Sequence, residues 1–128
     1  MWIIDSSTIV KFFAMEPGWE TARQYVQVPV TIELGLKELA NALWKKTRSG
    51  QFHRQTAIWA LGEFDRIAFY FDQRKYVAKA FEIAVAHNIT TYDALFIAAA
   101  SAEGCELVTS DEKQASVSRK EGIDTVVC

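Results

Sequence analysis

The sequence predicts an α/β fold, a parallel central sheet with helices on both faces, and three observations carry that prediction. Short apolar runs alternate with longer helical patterns along the whole chain. The short runs are apolar almost throughout, as in strands buried on both faces. Two of them, Trp2-Ile3-Ile4-Asp5 and Glu106-Leu107-Val108-Thr109-Ser110-Asp111, end in an aspartate. In open sheets of this kind ligands gather beyond the carboxyl ends of the strands, which is where Asp5 and Asp111 would both fall.

Taken in order, Trp2–Asp5 reads as a strand closed by its acid, and Ser6-Ser7-Thr8 offers capping hydroxyls to a helix through Phe13. Pro17-Gly18 breaks the chain. Trp19–Gln27 reads as a short helix, Val28–Ile32 as an extended segment, and residues 33–48 as a long helix ended by Ser49-Gly50. Ala57, Ile58, Leu61 and Phe64 are spaced for a helix over residues 53–65, and Ile67–Phe71 is β-prone. Helices follow over 73–87, stopped by Asn88, and from the N-caps Thr90 and Thr91 to Glu103-Gly104. Glu106–Asp111 reads as a strand, residues 112–121 as a helix and Ile123–Val127 as a last strand. At 128 residues, with no repeat, linker or low-complexity tract, residues 1–128 form one domain.

Composition narrows the function. The longest apolar run, Ala94–Ala100, is far short of the ~20 residues needed to span a bilayer, and no basic segment precedes a cleavable apolar stretch. No membrane partner and a cytoplasmic location are therefore expected. Cys105 and Cys128, the only cysteines, lie in no CxxC pair and read as free thiols. The net charge of −2 would argue against a nucleic-acid partner if the charges were evenly spread. Lys45, Lys46, Arg48 and Arg54 crowd into ten residues that contain no acid, with Phe52 and His53 between them. Arg74, Lys75 and Lys79 form a second group. Such runs are either solvated faces or tracks for an RNA backbone. His53 beside a glycine loop and His87 in a last helical turn read as structural. Trp44 and Trp59 read as core or dimer contacts.

Two aspartates at strand ends must share a proton or find a cation if a partly dry cleft brings them together. Asp93 lies in the first turn of its helix, where an acid also simply suits the helix dipole. Glu38 falls opposite a stripe of Leu36, Ala40 and Leu43, which suits solvent. Leu34 and Ala42 lie one turn to either side of it, which suits a crevice. Periodicity leaves both placements open.

Four blocks, in order, resemble the signatures of the PIN-domain family, and most closely its small VapC toxins. They are Ile3-Ile4-Asp5-Ser6-Ser7, Lys37–Leu43, Thr91–Ala100 and Leu107–Lys113, with Tyr92-Asp93-Ala94 and Thr109-Ser110-Asp111 the most specific. The resemblance implies a parallel PIN-like sheet and a metal-dependent ribonuclease. It places the family's acids on Asp5, Glu38, Asp93 and Asp111, its hydroxyl beside the first acid on Ser7, and a supporting hydroxyl on Thr109. Many relatives carry a further acid where this chain has Ala115, which leaves one or two cations open.

An all-oxygen set without Cys or His selects a hard cation, Mg²⁺ or Mn²⁺. Asp5 and Asp93 would bind it directly, Glu38 and Asp111 directly or through water, and Ser7 would orient water or a ligand. With the four acids set apart, 14 basic residues face 12 acids, so a loaded site would attract phosphate. The expected partners are an RNA substrate, a second copy in a homodimer through Trp44 and Leu36, and a VapB-like antitoxin. The antitoxin would lay an apolar helix over Phe12 or Phe13. A housekeeping RNA-processing nuclease is the alternative. A Mg²⁺-binding receiver fits poorly because Ser6 follows Asp5 and Asp72 lacks a phosphoacceptor's context, and Ser7 departs from an Asp-x-Asp phosphatase.

Overall fold

The computed structural model describes all 128 residues. Its strands are β1 (Trp2–Ile4), β2 (Val30–Ile32), β3 (Phe69–Phe71), β4 (Glu106–Thr109) and β5 (Thr125–Val127). Its helices are α1 (Ser6–Phe13), α2 (Glu33–Arg48), α3 (Arg54–Ile67), α4 (Val77–His87), α5 (Thr91–Glu103) and α6 (Glu112–Lys120). All strand pairing is parallel, in a three-stranded ribbon ordered β1-β4-β5 and a two-stranded ribbon of β2 and β3. The Thr31 hydroxyl joins the ribbons by donating to the Ile4 carbonyl at 2.7 Å, so β2 lies beside β1 without a ladder.

Neighbouring residues of each central strand point to opposite faces, and both faces are covered. Ile3 and Leu107 enter one apolar cluster with α4 and α5, whereas Ile4 and Val108 enter another under α1, α2 and α3. Helix α5 is buried from Ala94 to Ala100 without a gap. Its alanines let it lie close to β1, and burial on every side explains why that stretch lacks a helical period. No single helix is long and apolar enough to cross a membrane.

Several local expectations are corrected. Ile67 ends α3 and is not part of β3, because the helical ladder continues to Ala68, whose amide bonds Phe64 O. The segments 19–25 and 73–76 are tighter 3-10 turns where α-helix was expected. The last strand starts at Thr125 and not at Ile123. On α2 the buried stripe is Gly35, Leu39 and Leu43, and Leu36 and Ala40 are only half-buried. Gly35 sets that rotation: a Cβ there would lie 2.9 Å from Ile9 Cδ1 and 3.0 Å from Thr31 Oγ1, so only glycine lets α2 pack this tightly. Trp44 and Trp59 are not core residues, at 54% and 68% exposure.

Candidate functional site

The acidic site grows from the parallel register of β1 and β4. Ile4 stands opposite Val108, so the residues that follow, Asp5 just past β1 and Thr109 at the end of β4, stand side by side. Asp5 is also the N-cap of α1, its Oδ1 accepting from Thr8 N at 3.2 Å. Two hydroxyls complete its cage. Ser7 Oγ donates to Oδ1 and Thr109 Oγ1 to Oδ2, each at 2.6 Å. The same hydroxyls hold the next loop, accepting from the amides of Ser110 at 2.8 Å and Asp111 at 3.0 Å. Ser7 thus supports Asp5 and positions the segment that carries Asp111.

Asp111 lies two residues beyond β4 and not at its end, and caps α6 by accepting from Lys113 N at 2.8 Å and Gln114 N at 3.2 Å. Asp93 lies in the first turn of α5, its amide bound to Thr90 Oγ1 at 3.1 Å. Thr90 alone is that cap, since Thr91 is already helical. Glu38 is half-buried on α2 and accepts a hydrogen bond from Ser6 Oγ, which resolves the two placements in favour of a crevice. Sequence reasoning gave Ser6 only a capping role. It also passed over Gln114, whose amide donates to Asp93 O at 2.8 Å and ties α6 to α5. The only sequence signal for Gln114 was its position one turn past Asp111.

Asp5 is 4% exposed, and burial, opposed by its three hydrogen bonds, pushes its pKa up to about 6, with the charge of Asp111 adding to the rise. Burial raises Glu38 and Asp93 as well, with the charge of Asp93 acting on Glu38 and that of Asp111 on Asp93. The four carboxylates therefore share one electrostatic neighbourhood. None of them forms an ion pair with a Lys, Arg or His. A buried, unpaired carboxylate is costly in a folded protein unless a cation completes it. The donor set, oxygen throughout with no Cys or His, fits a hard divalent ion. The fit is one of charge and donor type, since no three acidic, Cys or His side chains converge as a ready-made ligand set.

An open cleft of about 720 Å³ gives access to this region, lined by Ser6, Ser7, Glu38 and Asp111 together with Lys11, Asn41 and Lys45. The second basic group is spoken for: Arg74, Lys75 and Lys79 pair with Asp72, Glu103 and Glu82. His53 caps α3 through Nδ1, and His87 Nε2 lies 2.7 Å from Glu121, so both imidazoles are structural. Cys105 and Cys128 are free.

The PIN domain family model matches residues 2–120. The chain is similar to Ribonuclease VapC3 of Pyrobaculum aerophilum, at 31% identity over 119 residues, covering 88% of this chain and 91% of that relative. The crystal structure of PAE2754, also from Pyrobaculum aerophilum, is similar in fold, with a TM-score of 0.77 at 22% identity, covering 98% of this chain and 83% of that one.

Proposed function

This chain belongs to the PIN-domain family, and from that premise we propose that it is a metal-dependent endoribonuclease, the toxin of a VapBC-type pair. The observation that carries the reading is the group of four carboxylates without a cationic partner, with Asp5 buried at the carboxyl end of β1. Asp5, Glu38, Asp93 and Asp111 would hold Mg²⁺ or Mn²⁺. When bound, such a cation supplies Lewis-acid polarisation of a phosphodiester and activation of water.

The chain's own residues do the positioning. Ser7 and Thr109 fix both oxygens of Asp5, and Ser6 fixes Glu38. These donors favour the charged form of acids whose pKa burial raises. Capping of α6 holds the Asp111 carboxylate at a helix N-terminus, where negative charge is favoured. Lys11 and Lys45 bring positive charge to the same cleft, which favours a polyanion over a neutral substrate.

Cleavage of a single-stranded RNA with Mg²⁺ or Mn²⁺, set against the same protein in excess EDTA, tests the reading. Activity only with the cation is expected, and full activity in EDTA would contradict it.

The partner part of the reading draws on exposed apolar surface. A groove of about 430 Å³ lined by Phe12, Phe13, Trp19 and Trp59 suits an apolar antitoxin helix. For a twofold homodimer, exposed Trp44 and half-buried Leu36 on α2 remain our contacts, and the exposed stripe Val77, Phe81 and Val85 on α4 adds a second apolar face. Light scattering of the chain alone, and mixed with the product of a neighbouring small reading frame, reads both expectations. A monomer mass at tens of micromolar contradicts the dimer, and the absence of a mixed complex contradicts the pairing.

A further inference from the structure

The acidic cleft does not end at the carboxylates. A depression of about 430 Å³ continues from it, and the two share Val10, Glu16, Ala42 and Lys45 as common walls. Along α2 the floor is a single helical face, on which Glu38, Asn41, Ala42, Lys45 and the C-cap Ser49 recur at three- and four-residue steps. Lys45 lies about 10 Å along the helix axis from Glu38, at a rise of roughly 1.5 Å per residue. Between them Ala42 presents only a methyl group, so the floor is low where a chain would cross it.

The cations around this track are not equivalent. Lys46 is held 3.6 Å from Glu16. The Lys11 ammonium donates to the Cys128 carbonyl at 2.9 Å. Lys45 is exposed and has neither an ion pair nor a hydrogen bond, so it is the one cation of the cleft with no partner within the chain. The Glu16 carboxylate lines the same depression and is compensated by Lys46, so that pair adds no free charge to the wall. A single row of phosphates matches one unpartnered cation.

We propose that Lys45 is the substrate-positioning residue for single-stranded RNA, taking the backbone phosphate next beyond the acidic cluster while the strand runs along the Glu38–Ser49 face of α2. This rests on the nuclease reading above. It adds to that reading a direction for the strand and a division of labour: the acids act at the reacting phosphate, and Lys45 acts on binding alone. Glu16 holds Lys46 in an ion pair and so leaves Lys45 as the unpartnered cation of the track.

The test is steady-state cleavage of a short fluorescein-labelled oligouridylate with Mn²⁺, and its binding by anisotropy in EDTA at several salt concentrations. Lys45→Ala should raise KM on the order of tenfold with kcat nearly unchanged, and lower the salt slope of binding by about one. Lys45→Arg should restore both, because the phosphate contact needs a cation and not an ammonium in particular. Glu16→Gln, which frees Lys46, should tighten binding and steepen the slope. A fall in kcat at unchanged KM, or an unaltered salt slope in Lys45→Ala, would overturn the proposal. Wild-type protein that binds the oligomer but never cuts it would overturn the nuclease reading and leave Lys45 to be judged on binding. Wild-type protein that neither binds nor cuts would overturn both.

Discussion

The acidic cluster has two unlike halves. Asp5 is buried at a strand end, with both carboxyl oxygens tied by Ser7, Thr8 and Thr109. Glu38, Asp93 and Asp111 lie at the rim on helices, each held by fewer bonds and each nearer solvent. The end of β1 fixes Asp5 to within hydrogen-bond tolerance, whereas the other three carboxylates come from α2, the first turn of α5 and the N-cap of α6. An anchored acid with a raised pKa stores electrostatic cost in the folded protein, whereas a rim acid can turn to water when no cation is present.

The difference predicts unequal responses to substitution. Asp5→Asn should have the largest effect, lowering RNA cleavage on the order of 10²-fold or more, since it removes the one charge that cannot be replaced by reorientation. Asn still caps α1, and loss of the buried charge should leave the metal-free fold at neutral pH as stable as wild type or more so. A folded Asp5→Asn protein with unchanged turnover would break the distinction between the halves.

Thr109→Val sharpens it. Removing the donor to Oδ2 leaves a buried carboxylate oxygen unpaired, for a loss of about 1 to 3 kcal/mol by denaturant unfolding and roughly 10-fold or more in turnover. Equal losses from Thr109→Val and from Ser6→Ala at the rim would mean that burial is not what sets Asp5 apart.

Most of this arrangement was legible in the sequence, in proportion to how local its physics is. The span Glu33–Arg48 matches expectation, and Thr91–Glu103 does once Thr90 is taken as its cap, because both are long and firmly ended. Asp5, Asp93 and Asp111 were legible as residues near element ends, and Glu38, inside α2, only as part of a family block. What could not be read was rotation and reach. Gly35 turns α2 so that Glu38 meets Ser6, a consequence of a close approach to Ile9 and Thr31 that no periodicity encodes. Of the two readings for Trp44 and Trp59, core or dimer contact, only the first fails: large aromatics on amphipathic helices suggest burial, and here both are exposed. The end of α3 was misread because the β-prone Ile67 is claimed by a helical ladder that β2, pairing from Val30 to Phe69 onward, does not contest.

The pKa of Asp5 gives the comparison a sign. A buried carboxyl at about 6, against about 4 unfolded, binds more protons folded than unfolded between those values. The contribution of Asp5 to the stability of the metal-free protein therefore falls as pH rises from about 4 through about 6, by an amount on the order of 3 kcal/mol. A divalent cation reverses that loss only where Asp5 is ionised.

Thermal unfolding at pH 7 and at pH 4.5, with and without millimolar Mn²⁺, in wild type and Asp5→Asn, tests the claim that the four acids form one cation-holding centre anchored on Asp5. The expected result is a clear rise in Tm with Mn²⁺ for wild type at pH 7, little at pH 4.5, and little in Asp5→Asn at either pH. No rise for wild type at pH 7, or an equal rise in Asp5→Asn, would contradict it.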